Sequence, residues 1–149
     1  MRKLFKIAIA ISFGILPLIA APAIAPPYRD TQDTICLAKN IYHEARGESL
    51  HGRKAVAQVT INRLQSGLFA STICQVVYQP NQFSWTNQRH KLIHDLAAWN
   101  ESLLLARTAL RFGVDGFENF KALYYHNTTV NPRWRLRYYK RIENHIFYI

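Results

Sequence analysis

Two carboxylates stand one helical turn apart in the stretch "NIYHEARGES": Glu44 and Glu48. Side chains at i and i+4 are neighbours on a helix face. A glycosidase that divides its work between two acids holds them on opposite faces of a sugar, roughly 5–10 Å apart. Two acids side by side on one helix reach a sugar from one direction only, so they do not make such a pair. One acid alone remains chemically useful. Glu44 sits beside Ile41, Tyr42 and Ala45. In partly apolar surroundings desolvation disfavours the carboxylate, which makes a general acid near neutral pH. Composition alone favours the plainer alternative, since a helical Glu is usually solvated. Glu48 is expected to pair with Arg46 or Arg53, or to accept backbone N–H groups at the following turn. Asp95, Glu101, Asp115, Glu118 and Glu143 lie in ordinary helix, turn or tail contexts and offer no evident second acid.

Other chemistries have weaker signatures. His90 and His94 have the i, i+4 spacing that grips zinc from one helix face. However, "HEARG" lacks the second His of HExxH and no acid sits at a telling offset, so no metal and no other cofactor is expected. Cys36 and Cys74 are the only cysteines, and an even count in an exported chain predicts a disulfide. Nothing near either one is activating, which argues against a Cys–His nucleophile. Two clusters have the makings of a carbohydrate groove: "NQFSWT" (Asn81 to Thr86) and "YYHNTTVNPRW" (Tyr124 to Trp134). Aromatic faces cover the apolar side of a sugar while amides and hydroxyls meet its OH and acetamido groups. Each cluster alone is a weak signal, because loop amides are common and aromatics are often core.

These residues need elements to hold them. Ile35, Ala38, Ile41, Tyr42 and Ala45 recur at helical steps, with Thr31 or Asp33 as the cap. Gly47 is expected to end that helix in the left-handed conformation. Ser49 reads as the N-cap of a second helix, with Val56, Val59 and Leu64 as its buried stripe and Gly67 as its stop. Residues 68–79 suit a short helix or loop tied by Cys74, and Pro80 to Gln88 an aromatic, amide-rich loop. Residues 91–112 carry a long helical pattern, broken at Asn100, that buries Leu96, Leu103, Leu104, Ala106 and Leu110 and closes at Gly113. "ALYYHNTTV" and "HIFYI" are β-branched and aromatic runs that predict short strands or a hairpin. The fold class is therefore α+β, mainly helical with a small β-hairpin or sheet.

The first 25 residues resemble an export signal: Arg2, Lys3 and Lys6, then an apolar run, then "AIA" at Ala23 to Ala25. A retained membrane anchor is the alternative. Gly14 and Pro17 interrupt the run, which is shorter than the roughly 20 apolar residues of a comfortable span. Loss of the three n-region cations takes the formal charge from +10 to +7. Residues 26–33 then form a short polar linker and residues 34–149 one domain. A basic exported domain attracts anionic polymers such as peptidoglycan, acidic polysaccharide or lipid. No nucleic-acid motif is present, so nucleic acid is not expected as a partner. Neither is stable membrane insertion once the signal is cleaved.

"CLAKNIYHEARGES", "HGRKAVAQVTINRL", "CQVVYQPNQFSWT", "YYHNTTVNPRW" and "RIENHIFYI" occur here in the order seen in the SleB/CwlJ-like cell wall hydrolases. The resemblance covers about residues 34–149. It implies a lysozyme-like fold acting, as a monomer, on peptidoglycan glycan strands, in the manner of a lytic transglycosylase without a cofactor. The first Glu of "EARGE", Glu44, would be the catalytic acid. Gln82, Phe83, Ser84, Tyr125, His126 and Asn127 would form the groove wall, with Arg46 and Glu48 holding the helix end. Ser49 stands where that family often has Pro, and Glu143 where Gly is common. Location in the periplasm or cell envelope follows. A hydrolytic muramidase, an N-acetylmuramoyl-L-alanine amidase and a non-catalytic wall-binding protein are the alternatives.

Overall fold

A computed structural model describes residues 31–88 and 91–149. The export signal and residues 26–30 lie outside the described residues, as does His90. Among the described residues no helix is long and apolar enough to cross a membrane.

The first helix, α1 (Gln32–Ala45), is the axis of the molecule. Thr31 is its N-cap, its side chain accepting from the Thr34 N–H at 3.2 Å. Asp33 is free to do something else: it accepts the Cys74 N–H at 2.9 Å. Gln32 and Asp33, assigned above to the linker, thus belong to the folded unit. Leu37, Ala38, Ile41, Tyr42 and Ala45 are buried, so α1 is covered on several sides by α2 (Leu50–Ser66), α3 (Ile73–Tyr78) and α4 (Leu96–Phe112). The expected disulfide joins Cys36 on α1 to Cys74 on α3, with a Cα–Cα distance of 5.1 Å.

Gly47 departs from expectation. Its φ is not positive, and a Cβ there would meet nothing. The chain leaves α1 through a right-handed turn that the Glu48 N–H closes on the Ala45 carbonyl at 3.0 Å. Ser49 does cap α2, accepting from the His51 and Gly52 N–H groups. Gly67, at φ 68°, ends that helix in the left-handed conformation that glycine adopts without a Cβ penalty. Val56 and Val59 are fully buried and Leu64 partly so.

The long helical pattern of residues 91–112 is shorter in the structure. Residues 91–95 are not helical, because Tyr42 Oη accepts the backbone N–H groups of His94 and Asp95, at 3.1 and 3.0 Å. Asp95 then caps α4 by accepting from the Ala98 N–H, and Asn100 sits in unbroken helix. Of the residues expected on the buried face, Ala106 is fully buried and the leucines are not. Leu96 and Leu104 are exposed and Leu103 and Leu110 only partly covered, while Ala98, Ser102, Leu105, Ala106 and Ala109 face inward. Small side chains let the two helix axes approach, and α4 packs mainly on α1.

The tail forms a three-stranded antiparallel sheet of β1 (Tyr124–Asn127), β2 (Tyr138–Ile142) and β3 (His145–Tyr148), in the order β1-β3-β2. Tyr125 faces Phe147 across one pair and Ile142 faces His145 across the other. The β2–β3 turn carries Glu143 at φ 49°, the strained region where glycine is at home. Its carboxylate accepts both the N–H (3.0 Å) and the hydroxyl of Ser49. That contact ties the turn to the start of α2.

Candidate active site

Glu44 lies on the last turn of α1, where the helix meets the sheet. Tyr125 on β1 donates its hydroxyl to Glu44 Oε2 at 3.2 Å. Burial pushes the Glu44 carboxyl above its ordinary range, while the Tyr125 hydrogen bond and the positive charges of Lys91 and Arg63 pull the other way. Burial and the neighbouring Glu44 charge hold the Tyr125 phenol well up, so it stays a donor. Tyr125 itself is pinned by Phe147 (ring centroids 5.5 Å) and edge-on by His145 (5.1 Å). The acid is therefore aimed by strand register rather than by its own helix.

The loop after α3 closes the other side. Asn40, one turn before Glu44, is fully buried. It accepts from Trp85 Nε1 at 3.0 Å and donates to Thr60 Oγ1 at 3.1 Å. Thr60 in turn donates to the Val56 carbonyl. This chain locks the loop, α1 and α2 in one geometry. His43 lies against Trp85 at 4.6 Å. Burial, then the positive charges of Lys91, Arg46 and Lys39, push its pKa down to about 4, leaving it neutral at ordinary pH.

A cavity of about 590 Å³ opens beside Glu44. Gln82, Phe83, Ser84, Tyr125, His126 and Asn127 all line it. Their parts differ. Phe83 is buried at 3% exposure and stacks on the Arg63 guanidinium at 5.0 Å. His126 has both ring nitrogens engaged, Nδ1 with the Asn127 carbonyl and Nε2 with Tyr148 Oη, each at 2.9 Å. Because a carbonyl can only accept, Nδ1 is the donor in the first of these. Asn127 Oδ1 accepts the Thr129 N–H and so shapes the turn after β1. Among the described residues that line the cavity, Glu44 is the one carboxylic acid.

Arg46 and Glu48 line no part of that cavity. Arg46 is exposed and rests on the Tyr42 ring at 5.2 Å. Glu48 pairs with neither Arg46 nor Arg53, contrary to expectation: Arg53 bridges to Glu101. Glu48 instead accepts from Asn144 at the β2–β3 turn, from Nδ2 at 3.1 Å and from the backbone N–H at 3.5 Å. The partner was invisible in the sequence because it arrives from the far end of the chain. Two other site residues escaped notice. Arg63 is buried at 4% exposure, an uncommon place for a charged helical side chain. Asn40 is a buried polar residue on an otherwise apolar face. His94 is exposed, and with His90 outside the described residues their pairing is not seen.

A family model described as Cell Wall Hydrolase matches residues 47–148. The chain belongs to the cell wall hydrolase family. It is 35% identical over 131 residues to a spore cortex-lytic enzyme of Oceanobacillus iheyensis, covering 85% of this chain and 45% of that protein. It is 33% identical over 132 residues to the Bacillus subtilis spore cortex-lytic enzyme, covering 86% and 41%. The chain thus spans less than half the length of these relatives. In structure it resembles the catalytic domain of the germination-specific lytic transglycosylase SleB from Bacillus anthracis. The TM-score there is 0.62 at 29% identity, covering 83% of this chain and 99% of that one. The catalytic domain of Bacillus cereus SleB gives 0.60 at 30% identity, covering 83% and 94%. The expected lysozyme-like α+β architecture is the one this cell wall hydrolase adopts.

Proposed function

We propose that this protein cuts the glycan strands of peptidoglycan as a lytic transglycosylase, with Glu44 as acid and then base. The observation that carries this is the one carboxyl that lines the groove among the described residues, partly buried, raised in pKa and oriented by Tyr125. Protonated Glu44 gives its proton to the glycosidic oxygen between MurNAc and GlcNAc as the C1–O bond breaks. The sugar's own acetamido group shelters the positive charge at C1. The Glu44 carboxylate, held by the Tyr125 hydroxyl, then takes the proton of the C6 hydroxyl, whose oxygen bonds to C1 and closes a 1,6-anhydro ring. Proton, leaving group and nucleophile balance within the sugar and one side chain. Gln82, Ser84, His126 and Asn127 would bind the strand, with Phe83 as backing.

The catalytic unit is residues 34–149 together with the first residues of α1, behind a cleaved signal (1–25). It acts as a monomer in the periplasm or cell envelope. The test is Glu44→Gln on purified sacculi: release of soluble muropeptides should vanish while the circular dichroism spectrum is kept. An active Glu44→Gln variant that dies in chelator would point to a zinc amidase instead. Binding to sacculi with no release by the wild type would point to a wall-binding module.

A further inference from the structure

A second cavity, of about 390 Å³, adjoins the groove and shares Arg63, Asn81, Gln82, Tyr125 and Trp134 with it. We propose that this side chamber takes the carboxylate-bearing branch of the glycan substrate, with Arg63 and Arg135 as its anion-binding groups. The proposal rests on the peptidoglycan reading above and names what part of that substrate goes where.

Arg63 is the anchor. The Phe69, Phe83 and Tyr124 rings hold its guanidinium at 5.1, 5.0 and 5.8 Å. Its Nε donates to the Leu123 carbonyl at 2.7 Å, but Nη1 is buried with no partner among the described residues. A buried charge with an unmet donor is costly, and native structures seldom leave one without a ligand or a use. Among the described residues no carboxylate lines the chamber, and the one acid lining the groove, Glu44, is held by Tyr125. Arg135, exposed on the segment before β2, supplies a second guanidinium on the chamber wall. Asn81 and Gln82 add amide groups. Two guanidinium groups and two amides on one wall supply the positive charge and the donors that a carboxylate takes up.

The alternating sugars of the strand carry no charge on their backbone. The negative groups hang from the lactyl branch of MurNAc, either as the lactyl carboxylate itself or as the carboxylates of an attached peptide stem. A branch leaving the strand beside the scissile bond needs a space off the main groove. The side chamber is such a space, on the wall next to Glu44 and Tyr125.

The experiment measures kcat/KM on three preparations of the same strands: native with stems, stripped to the free lactyl carboxylate, and carbodiimide-amidated so that all carboxylates are neutral. Wild type should prefer native over amidated strands about tenfold, as loss of a charged hydrogen bond would give. Arg135→Gln should lower the native value about as much, bringing the ratio near one. Stripped strands as fast as native would identify the lactyl carboxylate as the ligand, and stripped strands as slow as amidated ones the stem carboxylates. Arg111→Gln, which lines neither cavity, should keep the full ratio. If it erases the ratio as Arg135→Gln does, the preference belongs to the general positive field and the chamber is refuted. Equal wild-type rates on native and amidated strands would also refute it while leaving the transglycosylase reading standing. No release from any strand would overturn both.

Discussion

Glu44 and Glu48 are the same residue type, one turn apart, at two ends of one corner, and the fold gives them opposite surroundings. Both carboxyls are pushed upward, and in both burial is the largest cause. A raised pKa therefore does not separate them. What does is the neighbour. Glu44 faces a cavity with a phenol behind it, so its proton can go to a ligand. Glu48 faces Glu143, whose own carboxyl is held low by hydrogen bonds from Glu48 and Ser49. The Glu48 carboxyl is spent on Asn144, and with the Ser49–Glu143 contact it holds the α2 entrance to the β2–β3 turn. Function follows from what the acid can reach.

The sharpest way to break this contrast is to neutralise each acid in turn. Glu44→Gln should cost about 10³-fold or more in muropeptide release, the upper range for loss of a general acid. Glu48→Gln should stay within about threefold of wild type, as for a surface change off the groove. Comparable losses in a turbidity assay on sacculi would erase the distinction. Next in size is Tyr125→Phe. Removing a hydrogen bond to a charged group should slow release about tenfold to a hundredfold. The phenol favours the carboxylate, so without it the Glu44 pKa rises further and the alkaline limb of the pH–rate profile moves to higher pH. A limb that stays put or moves down would show that Tyr125 is not coupled to the acid.

The corner can be broken without touching the groove. A Cβ on Gly52 would lie 2.8 Å from both Glu143 Oε2 and Glu48 Cβ. The carboxylate end can swing away, but the Glu48 Cβ is close to backbone. Gly52→Ala should cost about 1–3 kcal/mol of stability, as overpacking does, seen as a lower denaturant midpoint with kcat retained at low temperature. The smallest effect runs the other way. The Glu44 pKa is raised above 4.5 in the folded state. Its contribution to stability is thus full below that unfolded value and is lost as pH rises through the folded one. Glu44→Gln avoids that loss and should be more stable than wild type at neutral pH, seen as a higher denaturant midpoint. Equal stability at neutral pH would mean that the carboxyl is better solvated than its surroundings imply.

The part of this legible in the sequence was the local part. The α1 stripe, the Ser49 cap and the Gly67 stop depend on neighbours a few residues away, and each is where the pattern put it. The residues lining the groove came from two clusters whose chemistry was visible even though their meeting was not. What failed was set by distant contacts. The Glu48 and Ser49 partners lie more than ninety residues along the chain, with Ser49 and Glu143 separated by 94. The buried Arg63 depends on three aromatic rings from other segments. β2 runs Tyr-Tyr-Lys-Arg-Ile, with no alternation to mark it as a strand, and is held by its pairing with β3. Tyr42 cuts the last helix short by taking two backbone N–H groups from across the core.

The central claim is that one carboxyl performs both proton transfers and that the sugar's own hydroxyl, not water, attacks C1. Digestion of sacculi in oxygen-18 water, followed by mass spectrometry of the released muropeptides, tests it directly. The account predicts 1,6-anhydro products, lighter by one water than the reducing sugars and free of the label. Reducing MurNAc ends carrying the heavy oxygen would contradict it and make the enzyme a muramidase.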